Sequence, residues 1–166
     1  MPGYVLDLFV APAAGAPVQR VAAVHALAGR GVEGDRYAAG EGAFSRWPGP
    51  GRALTLIDAA ALAAAEAECG VALSEGQHRR NVVTEGVPLA DLRGVAFQIG
   101  EAWCEGSRVC APCRYLVRVT GQDRVFEALV RRGGLRAAIT ASGTIRRGDA
   151  VRWDPADLTG RRSLPG

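Results

Sequence analysis

Two thiols three residues apart, Cys110-Ala-Pro-Cys113, followed at once by Arg114, form the densest concentration of reactive chemistry in the chain. Sulfur is the group to consider first, because other nucleophiles and bases are sparse. The two histidines, His25 and His78, stand apart from the thiols and from each other. Three chemical uses of the pair compete with a plainer one, in which both cysteines simply cap a strand. A C-x-x-C pair can form a redox disulfide. That motif normally opens a helix, however, and Tyr115 to Val119 reads as a strand. A zinc site needs a second pair of ligands, which Cys69, Cys104, His25 and His78 do not supply at a usual spacing. A single thiolate could bind a soft metal. Arg114 beside it would favour thiolate over thiol and help to neutralise an anionic ligand.

Other polar clusters stand far from the cysteines in sequence. Gly29-Arg-Gly-Val-Glu-Gly34 leads into Asp35-Arg36, and its three glycines allow positive φ and close backbone approach. Alone it reads equally as a turn carrying a solvated ion pair. Arg79-Arg80-Asn81 precedes a strand at Val82 to Thr84 and offers planar guanidinium forks and an amide to a phosphate, carboxylate or pterin-like edge. The alternative is a polar loop end with ordinary surface arginines. His78 and His25 read as structural, and Cys69, at a helix end, as a packed thiol.

Composition narrows the field. All 20 basic residues are arginine and the net charge is only +3, with no basic run interleaved with aromatics, so nucleic-acid binding is not expected. Without lysine there is no Schiff base for pyridoxal phosphate, and no Gly-Lys phosphate loop. No apolar run approaches the ~20 residues that span a bilayer, and the N-terminus lacks a signal-peptide pattern. The expectation is a cytoplasmic protein without membrane association, with its four cysteines reduced.

The elements that must position these groups are short. Strands are predicted over Tyr4 to Val10, Val18 to Leu27, Ala53 to Ile57 and Val82 to Thr84. Asp58 and Gly70 bracket a helix over Ala59 to Cys69. Pro88 starts a helical turn reaching Leu92. Val95 to Ile99 and Ala102 to Cys104 form a hairpin about Gly100-Glu101. Gln122 to Arg132 reads as an amphipathic helix with Val125, Phe126, Leu129 and Val130 on its apolar face and a Glu127–Arg131 ion pair. Strands at Leu135 to Ala141, Thr144 to Ile145 and Ala150 to Trp153 follow. Ala38 to Gly51, rich in Gly and Pro, reads as a long loop of the kind that forms lids. The sum is one α+β domain over 4–153, a β-rich, partly closed barrel with two or three peripheral helices, and a mobile tail over 154–166.

Five segments in order carry a resemblance: Ala28 to Tyr37, Arg79 to Thr84, Phe97 to Gly100, Arg108 to Cys113 and Arg132 to Arg136. Together they resemble the MOSC family, the domains related to the C-terminal part of molybdenum cofactor sulfurases, in a compact single-domain form. The resemblance implies a barrel-like fold and molybdenum cofactor (molybdopterin) as the bound group. It implies Cys113, which follows proline, as the metal ligand or sulfur carrier, with Cys110 as second choice. Asp35, Arg36, Arg79, Arg80, Asn81 and Arg136 would line the pocket, the arginines neutralising the pterin phosphate and Asn81 pairing with a pterin edge. The implied activity is reduction of N-hydroxylated small molecules with electrons from an external donor. Alternatives are a persulfide carrier served by a cysteine desulfurase, a non-catalytic cofactor-binding module and a dithiol redox protein.

Overall fold

The computed structural model describes residues 3–36 and 53–159. The long loop expected over Ala38 to Gly51 lies outside them. The described residues form eleven strands: β1 (Gly3–Val10), β2 (Gln19–Arg20), β3 (Ala23–Leu27), β4 (Gly31–Val32), β5 (Leu54–Asp58), β6 (Val82–Glu85), β7 (Ala96–Ile99), β8 (Ala102–Val109), β9 (Leu135–Ala141), β10 (Gly143–Arg146) and β11 (Ala150–Trp153). The helices are α1 (Ala59–Cys69), α2 (Arg114–Thr120), α3 (Val125–Leu129) and α4 (Pro155–Thr159), with a 3-10 turn at Leu89–Leu92.

Seven of these strands run in the order β11-β7-β8-β9-β5-β6-β1, and β1 pairs back onto β11. The barrel therefore closes fully, beyond the partial closure expected, and closure removes the unpaired edges of an open sheet. Only β5 and β6 run parallel within it, and α1 makes the crossover between them. A smaller sheet, β10-β3-β4, stands beside the barrel.

Alternation along the strands builds two cores rather than one. Leu8, Leu54, Leu56, Val82, Phe97, Cys104, Leu135 and Val151 fill the barrel. Their sequence neighbours Phe9, Ile57 and Val83 point the other way and pack with Leu62, Ala65, Leu116, Val125 and Leu129 under the helices. Strands β1, β5 and β6 are thus apolar on both faces. The site forms where β5, β9 and the loop leaving β8 meet α2.

Several local expectations match. Asp58, in extended backbone, accepts from the Ala60 N–H at 3.0 Å, and Gly70, at φ 66°, donates its N–H to the Glu66 carbonyl. Gly100, at φ 56°, turns β7 into β8 as a hairpin. Four expectations change. Tyr115 to Val119 belongs to helix α2, capped by Cys113 and ended by Gly121 in the left-handed region. The stretch Val18 to Leu27 divides into β2 and β3. The amphipathic helix shrinks to Val125–Leu129, leaving Phe126 and Val130 exposed, and Glu127 pairs with Arg124 rather than Arg131. The segment after Trp153 opens with α4, whose Leu158 packs against the barrel core.

Candidate functional site

Strand β8 carries the chain toward the site, and its pairing with β9 shifts register between Gly106 and Arg108. Past Val109, residues 110–113 adopt no regular element, and Cys113 then caps α2 in extended backbone (φ −138°, ψ 169°) without a side-chain cap bond. The objection that an extended segment follows the cysteines is therefore removed. The dithiol reading gains little, because α2 begins only after Cys113, which leaves Cys110 outside the helix that such a motif opens. Both thiols are free. Cys110 is buried and Cys113 half-buried.

Around this loop lies a cleft lined by Arg36, Thr55, Arg79, Arg80, Cys110, Ala111, Pro112, Cys113, Tyr115, Leu116 and Arg136. It gathers six of the residues singled out from sequence: both thiols and four arginines. Its enclosed room is about 70 Å³. That suits a phosphate-sized anion and falls well below the roughly 300–1,000 Å³ of pockets that enclose a whole drug-sized ligand.

Each arginine arrives by its own device. Arg79 is the one described non-glycine residue with positive φ, at 61°, a conformation that costs about 1–2 kcal/mol. Its buried side chain donates to the Ala16 carbonyl at 2.7 Å. Arg80 donates to three backbone carbonyls, those of His78, Cys110 and Gly133. Arg36 meets Asp35 at 3.2 Å, and Asp35 also accepts the Ala11 N–H at 2.9 Å, tying this corner to the end of β1. Arg136 projects from β9 directly across from Thr55. Three of the four arginines are buried, and Asp35 is hydrogen-bonded to one of them, Arg36. Four guanidinium groups gathered around one cleft favour an anionic occupant.

Asp35, Asn81 and Arg114 stand outside the lining. Asn81 Oδ1 accepts from the Thr55 N–H and hydroxyl, and its Nδ2 donates to the Phe9 carbonyl. Its amide thus laces β1, β5 and β6 together. Arg114 is exposed and lines a separate surface groove with Val117, Arg118, Asp123 and Phe126. His78 is fully buried, and burial, aided by the Arg80 charge, lowers its pKa to about 3. Its Nδ1 accepts the Arg80 N–H at 2.9 Å, so it is a neutral structural imidazole. Sequence reading missed Thr55, Tyr115 and Leu116. A lone polar residue between two leucines in β5 was the signal for Thr55; the other two were hidden by the strand assignment of α2.

The sequence matches the MOSC domain over residues 45–152, well over half of the chain. This chain belongs to the MOSC domain family. The matched span contains β5 to all but the last residue of β11, with the cysteine loop between them, and Asp35 and Arg36 precede it. The fold is that of solved MOSC-fold structures. It resembles the YuaD protein of Bacillus subtilis with a TM-score of 0.73, at 18% identity over 91% of this chain and 94% of that one. It resembles YiiM from Geobacillus stearothermophilus with a TM-score of 0.71, at 15% identity over 92% of this chain and 75% of that one. For YiiM from Escherichia coli the TM-score is 0.66, at 21% identity over 93% and 70% of the two chains. No curated protein sequence matches this MOSC chain.

Proposed function

We propose that this MOSC protein binds molybdenum cofactor in the cysteine–arginine cleft, with Cys113 as the thiolate ligand, and reduces N-hydroxylated compounds. The observation that carries the reading is a half-buried thiol in one cleft with four arginines. The donor set suits the group: soft sulfur for the metal, guanidinium forks for a phosphate. The enclosed room fits the charged end of such a cofactor rather than all of it. When bound, the group would supply the redox chemistry that takes oxygen from nitrogen.

The chain's own contribution is placement and electrostatics. Cys113 presents sulfur from a helix cap. Arg36, Arg79 and Arg136 offset negative charge, and buried Pro112 and Leu116 give the same cleft an apolar part. His78 does not move protons in the working pH range, being neutral and turned to the backbone. Electrons would come from an external donor. The exposure of Cys113 also favours a second reading, a persulfide carrier that receives sulfur from a desulfurase.

The test is turnover of a hydroxylamine with a small-molecule electron donor, using protein from molybdenum-replete cells, beside an assay of persulfide on Cys113. Reduction that disappears in Cys113→Ser supports the reductase. Persulfide transfer by metal-free protein with no reduction by the loaded protein replaces it with the carrier.

A further inference from the structure

The family resemblance assigns Arg80 to the ligand, yet its hydrogen bonds lead elsewhere. Nε donates to the Gly133 carbonyl at 3.0 Å, Nη1 to His78 at 2.7 Å and Nη2 to Cys110 at 3.0 Å. All three guanidinium nitrogens therefore reach backbone carbonyls, from the approach to β6, the cysteine loop and the link between α3 and β9. Of the five N–H groups of an arginine, at most two remain. The surroundings are shaped to this junction. A Cβ on Gly133 would land on the Cys110 carbonyl oxygen, and one on Gly134 on the Leu56 carbonyl oxygen. The Cys110 N–H in turn donates to the Gly134 carbonyl at 2.8 Å. Cys110 is thus held through both of its peptide groups. Arg136 differs: it lines the same cleft from the face of β9, and its guanidinium makes no hydrogen bond or ion pair among the described residues.

We infer that Arg80 is a positioning residue that clamps the cysteine loop, setting Cys113 at the cap of α2, while Arg136 receives the anionic part of the ligand. A fork reaching three carbonyls has a geometry that a lysine cannot copy, since an ammonium is a compact point charge. This division of labour rests on the reading of the cleft as a ligand site. Its test uses metal-free full-length protein, so that either can fail without the other.

Three variants, Arg80→Lys, Arg80→Ala and Arg136→Ala, are compared with wild type. The readouts are iodoacetamide labelling of each cysteine by peptide mass spectrometry and pyrophosphate binding by calorimetry. Wild type should label at Cys113 and spare Cys110. Arg80→Lys keeps the charge but should raise Cys110 labelling by about tenfold or more, as Arg80→Ala does, because charge-assisted bonds to the loop are lost. Millimolar guanidinium should restore protection in Arg80→Ala where ammonium does not, a rescue that a general loss of stability would not show. Pyrophosphate affinity in Arg80→Lys should stay within about threefold of wild type, whereas Arg136→Ala should lose about tenfold and leave Cys110 protected. Should Arg80→Ala not fold, the lysine and Arg136 variants decide. The proposal is overturned if Arg80→Lys leaves Cys110 protected, or if it weakens pyrophosphate as much as Arg136→Ala with the loop unchanged. Wild type that binds no pyrophosphate overturns the assignment to Arg136.

Discussion

Cys104 and Cys113 belong to one continuous stretch, strand β8 and the loop that leaves it, and they have opposite chemistry. Cys104 points into the barrel with 0% exposure, and burial pushes its thiol up to about 12. Cys113 stands half-buried at a helix cap in a cleft with four arginines. A thiolate is the reactive form of cysteine, so the first position makes a core residue, and the second is the one proposed as a ligand. What separates them is the frame at the end of β8: the register shift at Gly106, the Arg80 clamp and the close approach of Gly133-Gly134.

Removing that frame should have the largest effect. Gly134 has φ 96°, and an added Cβ would strike the Leu56 carbonyl oxygen. Gly134→Ala should cost about 4 kcal/mol or leave the protein unfolded, read by denaturant titration. A fully stable variant would show that the glycine corner does not hold the loop.

Comparable in size, though spread over several pH units, is the acid sensitivity of His78. Its pKa is lowered from 6.5 to about 3 in the fold, first by burial and then by Arg80. Above pH 6.5 the imidazole is neutral whether folded or unfolded and contributes nothing to the pH dependence. As pH falls below that value, only the unfolded chain takes up the proton, so stability is lost at up to about 1.4 kcal/mol per pH unit until about pH 3. His78→Gln should flatten this part of the stability curve, and an unchanged slope would exclude His78 as its source.

The contrast between the two thiols gives a smaller stability effect and a larger functional one. Cys104→Ser places a hydroxyl inside the barrel and should cost about 2 kcal/mol, while Cys113→Ser, half-buried, should cost under about 1 kcal/mol. In the native protein iodoacetamide should modify Cys113 and not Cys104. Equal modification of both would dissolve the distinction. The smallest effect belongs to Arg114→Ala. Its exposed side chain faces another groove, so stability should move by less than about 0.5 kcal/mol, with pyrophosphate affinity unchanged in the same calorimetric titration.

Where local chemistry was decisive, the fold could be read from the sequence. Asp58 and Gly70 fixed both ends of α1, and Gly100-Glu101 fixed a hairpin, because caps and tight turns depend on a few neighbouring atoms. Tyr115 to Val119 misled for a physical reason. Its valines and tyrosine favour strands, and a seven-residue helix is too short to display helical periodicity. Burial of Leu116 against Phe9, Val83 and the other residues of the second core decided the matter, and that is a tertiary fact. Residue types identified most of the cleft, but not the role of each member. Asn81 and Arg80 look alike in sequence as polar ligand groups. Only their bonds to backbone atoms show that one laces strands and the other clamps a loop.

The most direct test of the central claim is the molybdenum content per chain of Cys113→Ser and Cys104→Ser, purified side by side with wild type from molybdenum-replete cells. Metal and pterin are expected in wild type and in Cys104→Ser, with metal lost from Cys113→Ser. Equal molybdenum in wild type and Cys113→Ser, or none in any of the three, would contradict the claim.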